Sequence, residues 1–230
     1  MDARTGGRIA AVVGLVAAAA LLSGCDQMLR ERHDEHYEVT GDVRTLSVAG
    51  DGVTLDVVAG NGPVSVDEVV RYRGDRPETR HRVDDGVLTL DSPGCEGKKA
   101  CKVEYRVTMP AGTALKVDVD AGKVETTGLA ASFDVRIDAG QVTTHRSRNK
   151  STDVRLDVGD VDLGYATAPD KVAVTTNTGA VSLRLPGAGP YAVQTHTEVG
   201  DTDITVPVSA SSKRAVSVRV DVGQITVAPA

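Results

Sequence analysis

VRIDAGQVTT, spanning residues 135–144, is an alternating strand, an acidic residue two places before a glycine, and a second alternating strand. The pattern recurs as VDVDAGKVET (117–126), VRLDVGDVDL (154–163), VTTNTGAVSL (174–183), THTEVGDTDI (195–204) and VRVDVGQITV (218–227). The shared glycines are Gly122, Gly140, Gly159, Gly179, Gly200 and Gly223, separated by 18, 19, 20, 21 and 23 residues. Self-similarity at such a period is the mark of a repeat architecture. Alternation puts Val117 with Val119, Val135 with Ile137, Val154 with Leu156 and Val218 with Val220 on one face. After the corner, Val124, Val142, Val161, Val181 and Ile225 point the same way. One such unit cannot bury its own apolar face, but units stacked at strand spacing of about 4.8 Å enclose a continuous interior. The fold expected is therefore all-β, a β-solenoid like a parallel β-helix, with repeats of roughly 19–21 residues. A β-sandwich is the alternative that alternation alone would allow, but a sandwich does not require a glycine corner at near-constant spacing.

The corner glycine suggests a positive φ, with the preceding Asp or Asn bonding local backbone amides. In a stack, Asp120, Asp138, Asp157, Asn177, Glu198 and Asp221 form a column. A column of carboxylates invites Ca²⁺, but each rung supplies one oxygen group only, so no metal site is expected. Further outward columns follow. The first strand gives Asp118, Arg136, Arg155, Thr175, His196 and Arg219, a mildly basic face; the second gives Glu125, Thr143, Asp162, Ser182, Asp203 and Thr226, an acidic and hydroxylated one. Such faces suit solubility and protection of strand edges, and could also read a polyanion or a repetitive glycan.

Upstream, residues 43–66 read as short strands with turns at Asp51-Gly52 and Asn61-Gly62, and LDVVAGNGPVSV (55–66) reads as a looser copy of the repeat. The basic stretch RYRGDRPETRHR (71–82) reads as part of a hairpin in which Val69–Tyr72 pairs with Val87–Leu90. Its Arg73-Gly74-Asp75 is unremarkable in a chain rich in those residues. Cys95 and Cys101 enclose a short loop; with Cys25, the third cysteine, set aside they leave an even count, which in an exported chain favours a disulfide. The spacing fits neither a Cys-x-x-Cys redox pair nor usual zinc ligation.

The even count assumes export, which the N-terminus supports. Arg4 and Arg8 precede an apolar run of about 14 residues, too short for the ~20 of a spanning helix. The run ends in Leu22-Ser23-Gly24-Cys25, which resembles the lipobox of bacterial lipoproteins. That resemblance implies cleavage before Cys25, a thioether-linked lipid on its sulfur, and fatty acid such as palmitate; two or three chains anchor stably where one is marginal. Residues 1–24 are then a signal peptide, 25–41 a charged, solvated tether, and 42–230 a single domain. His33 and His36 lie exposed in the tether.

Met109-Pro110-Ala111-Gly112-Thr113, then Leu115-x-Val117-x-Val119, then Asp120-Ala121-Gly122-x-Val124, resembles the bacterial "putative adhesin" domain of unknown function. The resemblance covers about residues 43–227. It implies a solenoid-like all-β fold at the cell envelope with no established enzyme activity, and the family defines no catalytic or ligand residues.

Composition narrows the function classes. A net charge of −6 argues against nucleic acid as a partner. Three per cent aromatics, with no Trp and only Phe133 for phenylalanine, is poor for stacking on sugar rings. The carboxylates are periodic, the five histidines show no metalloprotease spacing, and no nucleophile elbow or phosphate loop appears. The expectation is a non-enzymatic, lipid-anchored module on the extracytoplasmic face, without cofactor, that binds, adheres to or spaces something in the envelope, such as a wall polymer or an envelope protein. The alternative is an accessory or sensor protein in envelope stress signalling.

Overall fold

The computed structural model describes residues 31–93, 101–187 and 189–230. Its elements are β1 (Glu31–Val39), β2 (Thr45–Gly60), β3 (Val64–Tyr72), β4 (Arg80–Asp84), β5 (Val87–Ser92), β6 (Cys101–Pro110) and β7 (Ala114–Thr127). These are followed by β8 (Phe133–Ser147), β9 (Ser151–Tyr165), β10 (Lys171–Leu185), β11 (Ala192–Val199), β12 (Thr202–Ile204) and β13 (Ala215–Pro229). The β-solenoid reading holds. From β2 to β11 the long strands stack in parallel, in the order β2-β7-β8-β9-β10-β13-β11, with glycine opposite glycine from Gly122 through Gly140 to Gly159.

Each long strand bends at its corner, and the burial pattern shows the bend. In β8, Val135 and Ile137 are buried, then four residues are not, then Val142 and Thr144 are. This break in alternation turns both arms of the strand onto one interior, where Val117, Val135, Val154, Val174 and Val218 from the first arms join Val124, Val142, Val161, Val181 and Ile225 from the second. Branched aliphatics suit such positions because they are stiff and fill the pleated surface. Short connections close the third side and are themselves laddered: Gly128 N donates to His145 O (2.9 Å), Arg148 N to Leu129 O (2.8 Å) and Ala166 N to Ser147 O (2.7 Å).

The two ends depart from chain order. β13 does not follow β11 and β12 but lies between β10 and them. The spatial order of corners is therefore Gly179, Gly223, Gly200 rather than sequential. Likewise β2, the first rung in sequence, is covered on one side by β7 and on the other by two later strands, β5 against its first arm and β6 against its second. In both cases the rung that comes first or last in sequence sits inside the ladder, where fraying is suppressed.

Three sequence expectations need correction here. The looser copy of the repeat is not residues 55–66; Leu46, Val48 and Leu55 stand in register with Leu115, Val117 and Val124, so the copy centres on Asp51, within β2. Val87–Leu90 does not pair with Val69–Tyr72; β5 pairs with β4 through the Asp85-Gly86 turn, and β3 pairs with β6 and β1, all antiparallel. The charged segment expected to be wholly a solvated tether is a strand from Glu31 onward, because β1 needs only backbone partners on β3 and the apolar anchors Tyr37 and Val39.

Candidate functional site

The corner is the most constrained feature of the stack. A β-carbon added to Gly140 would lie 1.9 Å from the carbonyl oxygen of Gly122, and one on Gly159 would lie 1.7 Å from that of Gly140. Gly179, Gly223 and Gly200 repeat the contact at 1.8, 1.8 and 1.7 Å. Backbone touches backbone along the whole column. Positive φ, the reason read from sequence, applies to only part of it: Gly179 has φ +148, whereas Gly122 and Gly140 are not in that region. Close approach is the common cause. Val53 occupies the place opposite Gly122, and on the other side of β2 two strands share one rung, β5 ending at Ser92 and β6 starting at Cys101.

Register confirms the acidic column and adds Asp51 to it. Its side chains do not make the expected bonds to local amides. Among the described residues two contacts run across rungs, Asn177 Nδ2 donating to Asp157 Oδ1 (3.4 Å) and Arg219 reaching Glu198 (3.4 Å), while Asp221 is met by Arg219 of its own strand (3.1 Å). No group of three or more His, Cys, Asp or Glu among the described residues is arranged to hold a metal ion.

The first outward face is not basic, contrary to the sequence reading. Arg136 and Arg155 run between two acidic columns, Asp134 with Asp153 on one side and Asp138 with Asp157 on the other. Arg136 meets Asp118 (3.8 Å) and Arg155 meets Asp153 (2.9 Å), so the guanidinium charge is spent locally. On the second face Lys123 meets Glu125 (2.9 Å), Arg184 meets Asp162 (2.7 Å) and Arg106 meets Asp56 (3.5 Å). The hydrogen bond from Lys123 holds the Glu125 carboxyl below the usual range, against the opposing effect of burial, with His145 adding to it at 3.3 Å.

Cys25 and Cys95 lie outside the described residues, and Cys101 begins β6. His33 and His36 do not converge. They stand on opposite faces of β1, His36 bonded to Asp67 (2.8 Å). Among the described residues no helix is long and apolar enough to cross a membrane.

One feature was missed in the sequence: residues 145–150, the end of β8 and its connection to β9. Its register shifts between Thr144 and Ser147, and Arg146 takes φ +50. One rung earlier the same place, next after the Thr127–His145 pair, is held by Gly128 at φ +75. The signal was the run HRSRNK, the one connection in the stack dense in cations.

Residues 40–227 match the family described as Toastrack DUF4097. Among solved structures, a "putative cell adhesion protein" from Clostridium sporogenes is 14% identical with a TM-score of 0.57, the match covering 87% of this chain and 100% of that one. A "putative adhesin" from Bacteroides fragilis is 12% identical with a TM-score of 0.48, covering 86% of this chain and 98% of that one. At such identities the first likeness is one of fold. A search of curated proteins gives no match.

Proposed function

The chain belongs to the Toastrack DUF4097 family, and from that premise we propose that it is a non-enzymatic binding module held on the outer face of a bacterial membrane by lipid on Cys25. Residues 1–24 are removed as a signal peptide, and Cys95 pairs with Cys101 as a disulfide beside the rung that β5 and β6 share. The observation that carries the reading is the stack: backbone-tight rungs hold the outward side chains in register-locked columns, a rigid display with little room to rearrange around a reacting centre. The adhesion-related names of its structural neighbours agree with a binding role at the cell surface. Labelling cells with radioactive palmitate tests the anchor. The full chain takes up label and fractionates with membranes, and Cys25→Ala does neither; label retained by Cys25→Ala sinks the anchor. Co-sedimentation of the full chain with purified cell-wall polymer tests the binding role, which fails if neither polymer nor intact envelopes retain it.

A second reading, an accessory subunit that docks on an envelope protein, is favoured by one observation. Among the described residues no strand lies beyond β11 at this end of the stack, and Val199 (63% exposed), Val208 (54%) and Ile204 lie bare around it. Val199→Asp separates the readings: it abolishes cross-linking to a protein partner under the second and leaves polymer binding intact under the first.

A further inference from the structure

Arginines on the outward faces of the stack are matched to carboxylates: Arg136 to Asp118, Arg155 to Asp153, Arg184 to Asp162 and Arg219 to Glu198 and Asp221. Arg146 and Arg148 break that rule. Among the described residues neither lies within ion-pair distance of an acid, and they face one cleft of about 370 Å³. Its other walls are small or apolar, with Val58, Ala59 and Ala166 among them, and no carboxylate lines it. Arg148 spends one guanidinium N–H on Gly128 O (3.0 Å), which fixes its side chain against the stack and leaves its other donors free.

The backbone gives a second, independent sign. The left-handed conformation that Gly128 adopts without cost is forced on an L-residue at Arg146. Glycine one rung earlier shows that the local geometry does not call for a side chain there. Strain retained at a single non-glycine residue, where the fold offers the unstrained alternative next door, marks a position kept for what its side chain does. The bulge between Thr144 and Ser147 is the device that turns the residue out of the ladder.

We propose that the Arg146–Arg148 cleft is an anion site for a phosphodiester group. Two guanidinium forks offer planar pairs of donors that match the two free oxygens of such a group. The apolar walls accept the carbon skeleton on either side, and a cleft of this volume has room for more than the phosphate alone. The site names a ligand class for the binding module proposed above and rests on that reading. The diester could be presented by a wall polymer or by a lipid headgroup.

The test is calorimetric titration of the full chain in neutral detergent with glycerophosphoglycerol, a small soluble diester of this class, at low salt. Saturable binding is expected, weakening with salt. Arg146→Gly is expected to lower affinity by about tenfold or more while raising the unfolding midpoint, an opposite movement that a purely structural arginine would not give. Arg148→Gln is a second variant, expected to weaken binding equally. Absence of saturable binding, or unchanged affinity in Arg146→Gly, overturns the site. Co-sedimentation with wall polymer and with phosphatidylglycerol vesicles, each with Arg146→Gly as control, identifies the source. Polymer binding that survives Arg146→Gly leaves the module reading standing and removes this site. Saturable diester binding by a chain that neither polymer nor intact envelopes retain does the reverse.

Discussion

The parallel stack of β7 to β10 with β13 and the antiparallel cap of β1, β3 and β4 solve the same problem by different means. Both must hold strands in register and hide strand edges. The stack does it by repetition: each rung offers the next an identical corner, so a single close contact, glycine against glycine carbonyl, is copied from rung to rung. The cap does it with distinct partners. β1 lies on β3 and β3 on β6, while β4 hangs on β5 by a two-residue turn, and burial is uneven, β4 being exposed along its whole length. Register in the stack is therefore a collective property with no tolerance at the corner. In the cap it depends on individual side chains and tolerates change.

The largest effect expected from this contrast is at the corner itself. Gly140→Ala places a methyl 1.9 Å from a backbone oxygen that cannot move without disturbing the next rung. A cost of about 3 kcal/mol or more is expected, at the upper end of overpacking. Gly112, in the turn between β6 and β7 and away from the corners, has open space around its missing β-carbon and no positive φ. Gly112→Ala should be neutral or stabilise by roughly 0.5 kcal/mol, because it restricts the unfolded chain. Urea unfolding of the two variants measures both; equal effects would mean that the corner is not held by backbone contact.

The same contrast explains what could be read from the sequence. Val117, Val135, Ile137, Leu156 and Val220 declare their direction by alternation, and the glycines mark the corner, because each rung meets nearly the same environment. Rung order was not legible. THTEVGDTDI and VRVDVGQITV fit either place in the ladder, and what sets the order is the connection after β12, long enough to return the chain between β10 and β11. The cap pairings were illegible for the opposite reason: β1 and β4 carry almost no apolar pattern, and a few individual side chains such as Tyr37 and Val39 fix their place without marking it in the sequence. The Arg146 cleft escaped because a left-handed arginine has no signature beyond the glycine it replaces.

A single substitution made once in each region should act with opposite sign. Tyr165, in β9, is buried and its hydroxyl donates to Thr152 Oγ1 at 2.8 Å. Tyr37, in β1, stacks on His81 with ring centroids 4.1 Å apart, but its buried hydroxyl has no partner. Burial pushes both phenols above their ordinary range, with the charges of Glu68 and Glu35 adding to the effect at Tyr37. Tyr165→Phe removes a made bond and should cost about 1 kcal/mol. Tyr37→Phe removes only an unmet desolvation and should stabilise by up to about 1 kcal/mol. Thermal unfolding of the two proteins gives the answer; a loss at Tyr37 would mean that its hydroxyl has a bonding role in the cap.

The smallest effect concerns charge, and pH reads it. Glu125, on the stack's second face, has its carboxyl lowered by the Lys123 hydrogen bond. A lowered value in the folded state means that the ionised form is preferred there. Its contribution is therefore complete above the unfolded value of about 4.5 and disappears as pH falls through the folded one. The pair is more than a third exposed, so screening reduces the contribution to roughly 0.3 kcal/mol. Glu78 in the cap is lowered in the same direction by Arg80, but it is fully exposed and sits outside any strand, so no stability should follow from it. Unfolding free energies between pH 6 and pH 3 should fall less steeply for Glu125→Gln than for the unaltered chain, while Glu78→Gln should follow the unaltered chain. If the two variants gave the same slope, ion pairs locked in register would be no better held than ion pairs on a loose loop, and the distinction between stack and cap would be one of packing alone.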